Sequence, residues 1–328
     1  MIMRESDNTV GLALQGEKQT RDDTSRYVGE LLVRQRLINT QVVSFSQELF
    51  ARGSTVIDAC AGPEGSFLSA ALCGYRWTGN EIAYRFARNL KNSGAEQVVI
   101  SDFADSPFGK EVVDGVFFIF ALNNISYPNK ALAEAGRVTK QNGGIVIADP
   151  GLTFWQTNIL LCSVLPEEQT QRMIGHNCCG KIRKYFEEKP YSLEEYCEFV
   201  LRHNLGMTQE ELSKQVNKIV EENSLSRKRE KRIVFYFHQE AVRAYYGNLA
   251  QLAIEQGFNI EKVGIMATAR LPINGTEEWA VASPSVVDHA VWLEELVAAK
   301  EGKTVLIPSD FLTSPCKLIF PVICFKKK

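Results

Sequence analysis

The segment Thr55-Val-Ile-Asp58-Ala59-Cys60-Ala61-Gly62-Pro-Glu64-Gly65-Ser-Phe67-Leu68 constrains this chain more than any other. A short β-branched run reads as a buried strand, and it ends on an acid that opens a loop of small residues. The apolar residues from Phe67 to Leu72 then read as the start of a helix. Strand, tight loop and helix is how an α/β fold presents backbone N–H groups to a ligand. Small residues suit such a loop because a Cβ would hold its backbone away from that ligand.

A second strand, Tyr75-Arg-Trp-Thr-Gly79-Asn-Glu81, again closes on an acid, 81 − 58 = 23 residues after the first. An acid about 20 residues past a ligand loop is where nucleotide-binding α/β folds hold ribose hydroxyls. A carboxylate accepts two hydroxyl hydrogen bonds at once. The G-x-G-x-x-G dinucleotide fingerprint and the phosphate loop ending Gly-Lys-Ser/Thr are both absent, which disfavours nicotinamide, flavin and nucleoside triphosphate chemistry.

In these motifs the sequence resembles the class I S-adenosylmethionine-dependent methyltransferases. Val56-Ile-Asp58-Ala59-Cys60-Ala61-Gly62 is similar to their first motif, and Gly79-Asn-Glu81-Ile82-Ala83 to their second-strand acid. Val98-Val-Ile-Ser-Asp102-Phe103-Ala-Asp105 resembles the third motif, Val113–Asn124 the fourth strand, and Leu132–Pro150 the helix, Gly143-Gly144 turn and fifth strand. The resemblance implies a Rossmann-like α/β sheet that binds S-adenosyl-L-methionine and releases S-adenosyl-L-homocysteine. It implies cofactor contacts from Asp58, Ala59, Cys60, Ala61, Gly62, Glu81, Ile82, Asp102, Phe103 and Asn123. Family members usually carry glycine two and six residues beyond the first acid; here Cys60 and Glu64 stand there. Glu64 puts a negative charge beside a cofactor that has its own carboxylate.

At 328 residues the chain can bury a large core, as one elaborated α/β domain or two smaller ones. A formal charge of −2 gives no global attraction to nucleic acid or an anionic membrane. We expect no secretory signal and no membrane span, hence a cytoplasmic enzyme; a homodimer is allowed. The eight cysteines and four histidines show no zinc spacing, so no metal is expected. The Cys178-Cys179 pair reads as structural rather than reactive.

Residues 1–22 are polar and aperiodic and read as a flexible tail. Two helices are expected between Ser25 and Phe50, from apolar spacing at Val28, Leu31 and Leu32 and again at Val42, Phe45 and Leu49. Residues 54–150 read as alternating strands and helices, which implies a parallel sheet with right-handed crossovers. A helical insertion at 152–237 is expected to form a lid or acceptor-binding unit, with capping boxes at Ser192–Glu195 and Thr208–Glu211. The cofactor-binding domain would then comprise 23–151 and 238–328. Its closing elements are a helix from Gln239 to Gly257, a strand Phe258–Ile265, a second insertion at 272–315, and a last strand Leu318–Phe325.

Methyl transfer needs alignment first, and a base only where the nucleophile carries a proton that must leave. His176, His203, His238 and His289 are the candidate bases, His176 and His238 foremost, although a lone histidine also serves as a surface or packing residue. Asn124, Phe154 and Trp155 are candidate acceptor contacts; the aromatics equally suit the core of the inserted helices. The acceptor class expected is a small apolar or aromatic molecule. Two alternatives stay open: a non-methylating reaction such as a cyclisation, motivated by Glu64 and the lack of an obvious base, and methylation of RNA, prompted by the basic cluster Arg227–Arg232. The net charge and the fourth-strand ending Ala-Leu-Asn123-Asn124 argue against a nucleic-acid partner.

Overall fold

The computed structural model of the protein describes residues 25–125, 127–149, 154–223, 227–273, 276–281, 285–287 and 316–328. The tail at 1–22, His289 and most of the second insertion lie outside these residues. The chain divides into two compact units: a sheet unit of residues 17–150, 250–295 and 306–328, and a helical unit built around 151–249.

The sheet unit opens with one continuous helix, α1 (Ser25–Phe45), followed by a 3-10 turn at Ser46–Glu48. This corrects the expectation of two helices. The polar run Asn39-Thr40-Gln41 separates the two apolar groups, yet Asn39 is buried and bonded to the rest of the unit. Ile38, Val42, Val43 and Phe45 form the apolar stripe of α1 and join Phe50, Val56, Tyr75, Trp77 and Phe117 in one core. Phe50 meets Phe117 edge-on at 5.7 Å between ring centroids.

Strands β1 (Thr55–Ala59), β2 (Arg76–Asn80), β3 (Val98–Val99), β4 (Val113–Ile119) and β5 (Thr139–Ala148) are all parallel. Helices α2 (Phe67–Leu72), α3 (Tyr84–Asn92) and α4 (Pro128–Val138) make three of the connections. The fourth, from β3 to β4, has only a 3-10 turn at Phe103–Asp105, because Pro107 and Gly109 interrupt that short segment. Strand β6 (Phe258–Ile273) follows Gly257, which takes φ +84°. Strands β7 (Thr276–Val281), β8 (Ser285–Val287) and β9 (Cys316–Lys327) complete the described sheet. Its order is β3-β2-β1-β4-β5-β9-β6-β7, with β8 also on β6. Strand β9 is antiparallel to both β5 and β6. The strand order reverses between β1 and β4, the point where open α/β sheets bind ligands. This is a Rossmann-like α/β sheet.

The expected turn at Gly143-Gly144 is instead part of β5, and Asn142 takes the left-handed conformation (φ +62°) beside it. Both glycines are needed for close strand approach. A Cβ on Gly143 would lie 2.6 Å from the Asp114 carbonyl oxygen, and one on Gly144 would lie 2.4 Å from that of Phe325.

The helical unit comprises α5 (Phe154–Val164), α6 (Glu167–Ile174), α7 (His176–Glu187), α8 (Leu193–Val200), α9 (Gln209–Asn223) and α10 (Arg227–Glu255), whose last turns belong to the sheet unit. Both capping boxes are present. Ser192 N–H donates to Glu195 at 2.7 Å and Glu195 N–H to Ser192 Oγ at 3.1 Å. Thr208 and Glu211 repeat the exchange at 2.7 and 3.2 Å. Helix α10 begins twelve residues before the expected start at Gln239, since no proline or glycine intervenes between Arg227 and Tyr246. Cys179 and Cys197 are buried, and burial pushes the Cys162 and Cys197 thiols up to about 12. These are inert packing thiols at neutral pH. Among the described residues no helix is long and apolar enough to cross a membrane, and no group of three or more acidic, histidine or cysteine side chains could hold a metal ion.

Candidate active site

The loop after β1 is set by three backbone reversals: Cys60 at φ +56°, Gly62 at +66° and Gly65 at +53°. Glycine adopts these angles without strain; cysteine does not. Asp58, at the end of β1, is buried, and its Oδ2 accepts from both the N–H and the hydroxyl of Ser66 at 2.7 Å. The Ser66 hydroxyl in turn accepts from Trp77 Nε1 at 3.0 Å. Burial raises the Asp58 carboxyl to about 6 against the pull of these donors. Asp58 therefore ties the loop to the residue that begins α2. Trp77 has room for this because Gly79, two residues on along the same face, has no side chain; a Cβ there would lie 2.4 Å from the indole.

Glu81, immediately after β2, is also buried. Its Oε2 accepts from Gly62 N–H at 2.8 Å and its Oε1 from Ala83 N–H at 2.9 Å. The Asn80 carbonyl accepts from Ala61 N–H at 2.9 Å. The end of β2 thus holds the loop that follows β1. A carboxylate has about four acceptor positions, so Glu81 keeps about two for a ligand. Asn80 Nδ2 donates to Ser101 Oγ at 2.7 Å, while its buried Oδ1 has no partner.

Helix α1 adds a second set of holds. Arg36 Nε donates to Glu64, Asn39 Nδ2 donates to the Gly65 carbonyl, and Thr40 Oγ1 lies 3.1 Å from Ser69 Oγ. Residues 36, 39 and 40 share one face of a helix, which is the signal available in the sequence. Nothing local in the sequence marks the loop as their partner. The charge of Glu64, unexpected in a cofactor loop, is paired with Arg36.

The remaining candidates divide. Ala59 is buried at the end of β1, and Ile82 is half-buried beside Glu81. Asp102 is exposed, and its Oδ1 accepts from Ala104 N–H at 2.9 Å, capping the 3-10 turn. Phe103, expected as a cofactor contact, is buried in this turn and meets Phe118 edge-on at 5.4 Å. Asn123 N–H donates to the buried Asp149 Oδ2 at 3.1 Å, linking the ends of β4 and β5. Asn124 closes the 3-10 turn Leu122–Asn124, and its side chain lies outside the description. One residue escaped sequence reading. Phe120, directly after β4, is held at φ +54°. Adjacent strands β1 and β4 therefore both end in a strained left-handed residue, Cys60 and Phe120, at the reversal of strand order.

Four candidates belong to the helical unit. His176 is the exposed first residue of α7. His238 lies inside α10, not ahead of a helix as expected; its Nδ1 is 2.8 Å from Thr157 Oγ1, and burial lowers its pKa to about 4. Phe154 and Trp155 begin α5, with side chains outside the description. The side chains of the basic cluster Arg227–Arg232, in the first turns of α10, are outside it too.

Residues 57–147 match the model of a methyltransferase-domain family. The demethylmenaquinone methyltransferase of Mycobacterium tuberculosis is 27% identical over 147 residues, covering 40% of this chain and 60% of that protein. The enzyme of the same name from Thermobifida fusca is 32% identical over 133 residues, covering 38% and 50%. The chain thus spans between half and three fifths of the length of these curated relatives. A solved S-adenosylmethionine-dependent methyltransferase from Thermotoga maritima, described as a possible histamine N-methyltransferase, is 13% identical with a TM-score of 0.40, covering 95% of this chain and 97% of that one.

Proposed function

We propose that this chain, whose residues 57–147 match a methyltransferase-domain model, binds S-adenosyl-L-methionine there and methylates a small apolar or aromatic acceptor. The observation that carries this reading is Glu81, a buried carboxylate at a strand end with about two acceptor positions to spare. In this reading those positions take the ribose hydroxyls. Gly62, where an added Cβ would meet no atom within 4 Å, leaves space over the loop, and the unpartnered Asn80 Oδ1 offers a further acceptor beside Glu81. The residues present fit the cofactor.

When bound, S-adenosylmethionine supplies an electrophilic methyl group whose transfer discharges a sulfonium. The protein's task is alignment of that methyl with the incoming nucleophile. Asp58, Ser66 and Trp77 keep the loop rigid; Glu81 and Asn80 fix its height over the sheet. Ala59, Cys60, Ala61, Ile82, Asp102 and Asn123 stay in the reading as cofactor contacts. Asn124, Phe154 and Trp155 stay as acceptor contacts, with the 152–237 insertion assigned the acceptor side. His238, neutral at pH 7 and a weak base at a pKa of about 4, suits packing better than proton abstraction. We therefore favour acceptors whose nucleophile is carbanion-like or readily ionised, such as hydroquinones and phenols. The demethylmenaquinone methyltransferases above support that class. The pairing of Glu64 with Arg36 removes one of the two motives for a non-methylating reaction.

The reading is tested by incubating the protein with methyl-labelled S-adenosylmethionine and a panel of hydroquinones, phenols, amines and RNA. Label is expected in an extractable hydroquinone or phenol. Label in RNA alone would overturn the acceptor assignment, and no transfer to any acceptor would count against the activity.

A further inference from the structure

From the pairing of Arg36 with Glu64 we infer that Arg36 is a charge-compensating residue of the cofactor loop, without which Glu64 repels the carboxylate of the ligand's amino-acid end. The inference rests on the cofactor reading above. Glu64 occupies a loop position at which the methyltransferases resembled here usually carry glycine. Its side chain is only 11% exposed, whereas that of Arg36 is 58% exposed. The acid is therefore poorly screened by water, and Arg36 reaches it from the solvent side. The same edge already carries the acids Asp58 and Glu81. Arg36 Nε donates to Glu64 Oε2 and cancels the extra charge. The hydrogen bond to Glu64 and its charge raise the guanidinium pKa further above its ordinary value. Asn39 and Thr40 keep the same face of α1 on the loop through Gly65 and Ser69, so removing Arg36 leaves the helix docked.

The test is calorimetric titration of the full chain with two ligands. One is S-adenosylhomocysteine; the other is 5′-methylthioadenosine, which keeps the nucleoside and lacks the amino-acid end. Wild type, Arg36→Ala and the double variant Arg36→Ala/Glu64→Gln are compared at low salt, with thermal melts to confirm folding. Arg36→Ala should weaken S-adenosylhomocysteine about tenfold, with a smaller loss at high salt, and leave methylthioadenosine unchanged. Adding Glu64→Gln should restore S-adenosylhomocysteine affinity, because the charge that repelled it is gone. Equal weakening of both ligands with no restoration would make Arg36 a structural clamp and overturn the inference. Unchanged or tighter S-adenosylhomocysteine binding by Arg36→Ala would also overturn it. Wild type that binds neither ligand would overturn the cofactor reading itself, and this inference with it.

Discussion

At Asp58, burial and hydrogen bonding pull in opposite directions, and burial wins: the carboxyl rises to about 6 although two groups of Ser66 donate to it. Its folded pKa lies above its unfolded value of 3.8, so the protonated form is the one folding favours. The cost of the buried charge is fully present above pH 6 and fades as the pH falls toward 3.8. Asp58→Asn keeps an acceptor for Ser66 without the charge. It should stabilise the protein by roughly 1–3 kcal/mol at pH 7.5, and the gain should vanish by pH 4, as read from urea midpoints at the two pH values. Cys60 carries a different cost, a left-handed backbone on a residue with a Cβ. Cys60→Gly should raise stability by about 1 kcal/mol. A loss of stability would mean that the thiol's contacts outweigh the backbone strain. The loop acids were legible because a strand-end acid is a local signal; the left-handed state of Phe120 was not, since β4 and β5 together hold it through the Phe120 N–H to Ala148 carbonyl bond.

Among the elements, β2 and α1 do most to shape the site, and they differ in how openly the sequence declares them. Strand β2 was readable from its aromatic and β-branched residues and terminal acid. The packing inside it was also latent there, as a tryptophan two residues before a glycine. Gly79→Ala would drive a Cβ into the Trp77 indole and dislodge its bond to Ser66. A loss of about 1–3 kcal/mol is expected from such overpacking, accompanied by weaker cofactor binding because the loop loses its tie. Normal stability in this variant would show that the indole can move aside. Helix α1 is one helix where two were expected, and Asn39 and Thr40 fall between the two apolar groups that prompted that expectation. Their polarity serves tertiary bonds to the loop and to α2, with partners 26 and 29 residues away, and such separation leaves no periodic trace. Capping chemistry is the opposite case, wholly local. Thr208→Ala should cost about 1 kcal/mol of stability, since it removes the acceptor for the Glu211 N–H.

On the scale of the molecule, five parallel strands joined by mostly helical crossovers and closed by antiparallel β9 account for the ligand edge at the β1/β4 reversal. That plan was legible in the order of the motifs, because each strand ends in a residue that chemistry or a turn requires. The one missing crossover helix was legible only in hindsight, from Pro107 and Gly109 between β3 and β4. Helices α8 and α9 were anticipated through their capping boxes. The full reach of α10 was not, since the run Arg227–Arg232 holds no apolar residue to show a helical period. The central claim is that Glu81 holds a nucleoside cofactor at this edge. Calorimetric titration of S-adenosylhomocysteine into wild type and Glu81→Ala tests it most directly. The account predicts micromolar-range binding by wild type and its loss in the variant, with the melting transition still cooperative. Equal affinity in both proteins, or none in wild type, would contradict it.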